Sequence, residues 1–393
     1  MITVQEAKQL IRDRIRVLTA VRRPLLQAAC SVLAEDVYAR VDIPAFEQSS
    51  MDGYAIRYED RDKSLPVHGE MAAGAGSSLQ LEPGRAMRIF TGAPLPDGAD
   101  TVVMQEKVTR NQGTIVVGDK DLVKGFAVRA TGSEIRAGAL ALPADTPLTP
   151  AAVGFLAGIG INQVPVYSMP SVSILVTGNE LQAPGESLSA GQVYESNSYS
   201  LTAALREAGI NHIHVLRVED TLNSLQFQLS SVLEWSDLVL VTGGASVGDY
   251  DFVLEAATNC GVEKVFHKVK QRPGKPLYFG MKGRVPVFGL PGNPSSVLSC
   301  YYNYVLLAIE MLSRKKAPTR LVKARLDTDY NKPTGLTHFL KGNYNEGGVK
   351  VLKAQQSYQL SSFAEANCLI ILEEDRDSYT AGEDVEVLLL PGY

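Results

Sequence analysis

The chain has 393 residues and a formal charge of −5, from 38 Lys and Arg against 43 Asp and Glu. With 45% hydrophobic and 21% charged residues it has the balance of a soluble globular protein long enough for more than one domain, and no basic excess suited to nucleic acid or an anionic membrane. Cys30, Cys260, Cys300 and Cys368 are scattered without a C-x-x-C, which predicts reduced, mostly buried thiols rather than disulfides or a zinc site. The apolar runs 368–372 and 385–391 are strand-sized, well short of the ~18 residues of a membrane span.

At the amino end, Thr3 and Glu6 have capping-box spacing, and Val4, Ala7, Ile11 and Leu18 follow at near-helical intervals among charges, which predicts an amphipathic helix. That pattern lacks the apolar core of an export signal, so the expected location is the cytoplasm. A second helix is expected around residues 25–38. Residues 42–135 change to short β runs cut by glycine and proline, the texture of a small β-rich module. Residues 136–170 return to helix, with Thr149 as cap, Pro150 at the first helical position and Gly160 at the end. This predicts a discontinuous helical domain, 1–41 with 136–170, carrying an inserted β-rich domain at 42–135.

Residues 171–316 alternate strand and helix. Strands are expected at 172–178, 212–218, 237–244, 263–270, 276–280 and 285–290. The helices are expected at 197–208, from Asp220, near 251–259, and for about five turns from Asn293-Pro294. Apolar strands in such alternation predict an open, doubly wound α/β sheet covered on both faces. Residues 317–393 carry β runs and little helix, read as a small C-terminal β-barrel-like domain.

In a doubly wound sheet ligands bind beyond the carboxyl ends of the strands. Three such ends carry polar glycine loops, 177-TGNEL-181, 242-TGGASVGDYDF-252 and 289-GLPGNPSS-296, whose backbone amides suit a phosphate or oxyanion. Glu180, Asp220, Asp249 and Asp251 sit at or just past strand ends, the oxygen donors that hold Mg²⁺ beside phosphate. Asp220 could instead simply cap its helix. In 266-FHKVKQRPGKP-276, strand alternation puts Lys268, Lys270 and Arg272 on one face, and Pro273-Gly274 turns Lys275 to the same rim. A solvated edge strand would also explain these charges; the proline and glycine between two cations favour an anion clamp. His212 and His214 lack a nearby third ligand, and Tyr301, Tyr302 and Tyr304 suggest core or dimer packing. The P-loop pattern is absent.

In this order, 48-QSSMDGYAI-56, 88-RIFTGAPLPDGADTVVMQE-106, 176-VTGNEL-181, 242-TGGASVGDYDF-252, 272-RPGKP-276 and 288-FGLPGNPSS-296 resemble the molybdopterin molybdenumtransferase family over essentially the whole chain. The resemblance implies a multidomain α/β architecture matching the four textures, with 171–316 as the molybdopterin-binding domain. It marks Asp52 and Thr91 in the β module, reaching the site of the other subunit in a homodimer. It also marks Glu180, Asp220, Asp251, Lys268, Lys275, Pro291, Pro294 and Ser357, and places Gly243, Gly244, Ser246, Arg272, Gly289, Gly292, Asn293 and Lys341 on the cofactor-binding side. Asn179 stands where the family has aspartate, Glu134 lies in a Gly132-Ser133-Glu134 turn where the family has Gly-Glu-Asp, Arg272 replaces a common lysine, and Lys341 replaces a usual arginine.

The implied reaction inserts molybdate into adenylylated molybdopterin with Mg²⁺ and releases AMP. Glu180, Asp220 and Asp251 would hold the metal or orient water; Lys268, Arg272 and Lys275 would offset phosphate and molybdate charge. Molybdenum goes to the substrate's own dithiolene sulfurs, which accords with the lack of clustered cysteine. Transient contacts with the molybdopterin adenylyltransferase and with molybdoenzymes are implied. Rival readings are a non-catalytic pterin-binding scaffold, since gephyrin's C-terminal region carries the same domains, and a phosphoanhydride hydrolase of another nucleotide. The two oxyanions molybdate and tungstate have nearly the same shape, so residues do not separate them.

Overall fold

The computed structural model describes residues 1–74, 79–243 and 252–392. The chain divides into two compact units, Met1–Val21 with Val166–Tyr393, and Arg22–Pro165. The first unit opens with helix α1, Val4–Arg14, where Thr3 and Glu6 form the expected reciprocal cap and Val4, Ala7 and Ile11 are buried.

Within Arg22–Pro165, helix α2 spans Pro150–Gly158 behind its Thr149 cap. A six-stranded sheet is made by β1 (Gly53–Ile56), β2 (Ser64–Met71), β3 (Ala86–Ile89), β4 (Thr101–Met104), β5 (Val108–Asn111) and β6 (Thr114–Val117). Its order is β4-β1-β3-β2-β6-β5, the β half-barrel of this fold. The expected helix over 25–38 does not form. Ala28 closes a turn onto the Pro24 carbonyl, Cys30 adopts a left-handed φ of 62°, and the amides of Cys30 and Leu33 donate to Leu148 and Thr146. Val37–Tyr38 then pairs with Leu140–Leu142. Long-range backbone pairing takes these donors, so apolar spacing alone misleads there.

The first unit carries a mixed sheet of β7 (Val172–Thr177), β8 (Ile213–Val218), β9 (Leu238–Thr242), β10 (Glu263–His267), β11 (Tyr278–Lys282) and β12 (Val285–Leu290). The order β8-β7-β9-β12-β11-β10 is parallel through its first four strands and antiparallel for β11 and β10. Every residue of β7 and β9 is buried, as expected of central strands covered on both faces. Helices α3 (Asn197–Glu207), α4 (Leu222–Val232) and α5 (Phe252–Asn259) connect them. Asp220 does not cap α4. Thr221 does, accepting from the Ser224 amide at 3.3 Å.

The long helix after Asn293 is three joined pieces: α6 (Pro294–Cys300), a π-helical turn (Tyr301–Val305) and α7 (Leu306–Ser313). Tyr301 and Tyr304 are core residues, fully enclosed. The C-terminal module is a closed five-stranded barrel of β13 (Arg320–Leu326), β14 (Thr337–Asn345), β15 (Gly348–Val351), β16 (Cys368–Leu372) and β17 (Asp384–Leu389). It runs β14-β15-β13-β17-β16 and closes from β16 back to β14. A two-residue strand, Gln271–Arg272, pairs parallel on β14 with Gln271 beside Thr337 and Arg272 beside His338. Among the described residues no helix is long and apolar enough to cross a membrane.

Candidate functional site

The carboxyl ends of β7, β9 and β12 border a cavity of about 820 Å³, walled also by residues 271–276 and by barrel residues 355–358. It collects Glu180, Gly243, Arg272, Lys275, Pro291, Gly292, Asn293, Pro294 and Ser357 from the sequence-marked set. Gly244, Ser246, Asp249 and Asp251 lie outside the described residues. The strand ends meet tightly: a Cβ on Gly243 would stand 1.7 Å from the Thr177 carbonyl oxygen, at a φ of 89°, so only glycine lets the chain turn there.

On the acidic side, Glu180 is exposed on the loop after β7 and its carbonyl accepts from the Val193 amide at 2.9 Å. Asp220 does not line the cavity, but the Thr177 hydroxyl, which does, donates to its Oδ1 at 2.8 Å. Asn179 points its Oδ1 at the Asp220 amide, 3.4 Å away, so the residue at the family's aspartate position braces the neighbouring acid. Among the described residues no three His, Cys, Asp or Glu gather into a metal cage. Glu180 and Asp220 are hard oxygen donors of the kind Mg²⁺ takes, one or two at a time, completing its shell with water and phosphate.

On the cationic side the expectation needs correction. Strand β10 stops at His267; Lys268 has a left-handed φ of 69° and is not among the cavity-lining residues. Lys270 turns to the barrel and pairs with Glu374 at 2.7 Å. Period-two alternation therefore fails at Lys268, and of the four cations only Arg272 and Lys275 face the cavity. Neither is engaged with a carboxylate among the described residues.

Gly289 also departs from its expected place. It is buried within β12, where a Cβ would press on Val253 Cγ1 at 3.0 Å and Tyr278 Cβ at 3.1 Å, so it serves packing under α5. Lys341 is 2% exposed, inside the barrel wall, and its Nζ donates to the carbonyls of Ala354 at 2.7 Å and Gln359 at 2.9 Å. Burial pushes its pKa down to about 8. The ammonium thus ties down the ends of the loop that brings residues 355–358 to the cavity instead of facing a ligand.

The PGNP loop and the barrel are joined directly. Asn293 Nδ2 donates to Ser357 Oγ at 2.9 Å, and the Ser295 amide donates to the Ser357 carbonyl at 3.1 Å. The residues that sequence reasoning missed are those joining the loops. Asn197, 8% exposed, donates to Thr242 Oγ1 at 2.9 Å and to the Gly292 carbonyl at 2.8 Å, linking two strand ends. Gln271, Tyr194, Gln355 and Tyr358 also line the cavity; only Ser196-Asn197 at the start of α3 offered a sequence signal. A smaller chamber of about 170 Å³ lies behind Arg272, with His338, Tyr330 and Gln356 in its wall.

In the other unit, Asp52 and Thr91 form a pair of their own. The Thr91 amide and hydroxyl both donate to Asp52 Oδ1 at 2.8 Å. Those bonds, from the backbone first and the side chain second, hold the Asp52 carboxyl below the usual range.

Comparison with known proteins accounts for nearly the whole chain. Residues 2–160 match the MoeA N-terminal region (domain I and II), residues 173–311 a probable molybdopterin binding domain, and residues 323–390 the MoeA C-terminal region (domain IV). The chain is 34% identical to a molybdopterin molybdenumtransferase of Haemophilus influenzae over 98% of each chain. It is 36% identical to one from a Nostoc species over 92% of this chain and 86% of that protein. A crystal structure of a molybdopterin biosynthesis MoeA protein from Pyrococcus horikoshii superposes with a TM-score of 0.85 at 29% identity, covering 100% of both chains.

Proposed function

Because the chain belongs to the MoeA family, the molybdopterin molybdenumtransferases of molybdenum cofactor biosynthesis, we propose that it takes adenylylated molybdopterin and molybdate, cleaves the phosphoanhydride and releases AMP. The observation that carries this reading is one cavity presenting Glu180 on one strand-end loop and Arg272 with Lys275 on another, beside the Pro291–Pro294 backbone. Arg272 binds oxyanion oxygens through a forked guanidinium and Lys275 offsets a second negative group. Gly243 and Gly292 let the backbone come close to phosphate. Glu180 and Asp220, with Asp251 by family likeness, are the residues to hold Mg²⁺, which when bound would offset phosphate charge and polarise the anhydride. Molybdate is cargo, received by the substrate's sulfurs.

Asp52 and Thr91 are assigned to the site of a second copy of the chain, so the functional unit is a symmetric dimer in the cytoplasm. The test is a reconstituted assay with adenylylated molybdopterin, Mg²⁺ and graded molybdate or tungstate. The expected outcome is AMP release that needs the pterin adduct. Equal release from simple dinucleotides would make the protein a general phosphoanhydride hydrolase. No release, together with cavity variants that keep full cellular function, would make it a scaffold.

A further inference from the structure

The turn that carries Arg272 and Lys275 rests on a buried polar stack. Gln271 is 1% exposed, and its Nε2 donates to the Gly274 carbonyl at 3.1 Å and lies 3.5 Å from Cys300 Sγ. Its Oε1 accepts from the Tyr304 hydroxyl. Gly274 has a φ of 88°, and a Cβ there would stand 2.5 Å from Cys300 Sγ and 2.8 Å from Gln271 Nε2, so the turn sits directly on this floor. Tyr304 belongs to the π-helical turn Tyr301–Val305 that interrupts the long helix. A π turn widens the helix and redirects side chains, and such turns recur at functional sites. Here Tyr301 reaches the Ala204 carbonyl at 2.7 Å while Tyr304 reaches Gln271 beneath the turn.

We propose that Tyr304, acting through Gln271, is a positioning residue that sets the height and orientation of the 272–276 turn, and so the affinity of the site for oxyanion. The inference rests on the reading above that Arg272 and Lys275 receive molybdate or phosphate. Tyr304 itself is outside the cavity lining. Removing its hydroxyl leaves the buried Gln271 Oε1 unpaired, and the amide can recover a partner only by giving up Gly274. The cations stay in the chain but lose their fixed approach.

Three measurements test this. Tyr304→Phe should raise the molybdate concentration for half-maximal AMP release about five- to tenfold, the worth of one buried hydrogen bond, while the saturating rate stays within about twofold. Tyr304→Phe combined with Gln271→Met replaces both polar partners by apolar groups, so it should recover thermal stability while half-saturation remains raised. Hydrogen exchange of the 269–277 segment should quicken in Tyr304→Phe, because the Leu277 and Val269 amides donate to the Gly274 and Lys275 carbonyls. An unchanged half-saturation in the single variant, its return together with stability in the double, or unchanged exchange would each overturn the proposal. A wild-type protein that releases no AMP sinks the functional reading instead, and the exchange experiment still reports on the brace.

Discussion

Beneath Arg272 and Lys275 the space is filled by Gln271, Cys300 and Tyr304, all buried, whereas the loop bearing Glu180 is exposed and held through backbone hydrogen bonds of its Leu181–Gln182 ladder with Val193–Tyr194. One charged wall of the cavity is therefore set by packing below it and the other by a backbone ladder at the surface. The difference teaches where mutations should act. The cationic wall should respond to substitutions in the core underneath, and the acidic wall only to the chemistry of the residue replaced.

The largest effect is expected on the acidic wall. Glu180→Gln keeps shape and removes a metal-binding charge, so AMP release should fall by about two orders of magnitude or more, with the melting temperature essentially unmoved. Full activity at limiting Mg²⁺ would break the comparison. If each site is shared between two copies, as proposed, mixing this inactive chain with an inactive Asp52→Ala chain should restore activity, since one site of each heterodimer then collects both defects and the other none. Random mixing caps recovery at about a quarter of wild-type sites. Verified heterodimers that remain dead would return Asp52 to its own chain's site or remove it from the site.

On the cationic wall, Gly274→Ala should raise half-saturating molybdate more than tenfold and lower stability by about 2 kcal/mol, from left-handed backbone strain and the clash with Cys300. Adding Cys300→Ala should recover part of both losses; recovery of neither would show that Cys300 is not the floor of the turn. Lys275→Ala should weaken molybdate use about tenfold and pterin binding less, with rate regained at high molybdate. A rate that added molybdate leaves low would take the oxyanion role from this lysine.

The smallest effect on activity concerns His338, behind Arg272. Burial first, then Lys332 and Arg272, lower its pKa to about 4. The unfolded chain takes up its proton near the ordinary value of 6.5, so the folded state loses stability as pH falls from about 6.5 to about 4. His338→Gln should flatten that acid limb by up to about 3 kcal/mol, at ~1.4 kcal/mol per pKa unit. Identical pH–stability curves would show that His338 is not the titrating group.

The α/β alternation and the family motifs made the sheet, the cavity loops and nine of the lining residues legible, because strand ends and glycine turns are local signals. Three kinds of residue resisted. Lys268 left its strand through a left-handed backbone that no side-chain pattern announces. Gly289 looks in sequence like its loop neighbours, yet the packing of α5 claims it. Asn197 and Gln271 act across separations of 95 residues to Gly292 and 33 to Tyr304, distances over which spacing carries no information. The lost helix at 25–38 has the same origin, in backbone donors taken by residues 146–148.

The parallel pairing of Gln271–Arg272 on β14 makes the C-terminal barrel a rail for the catalytic domain. Its closed ring holds that rail straight, and residues 355–358 add a wall from the same ring. A chain cut after residue 316 would lose more than Ser357. Arg272 would keep its charge but lose the neighbour that fixes its peptide plane, leaving a binding turn anchored from below and free at one side. The module thus carries part of the site's geometric tolerance, and damage to it should be read in an assay as weak affinity before it registers as an unfolded domain.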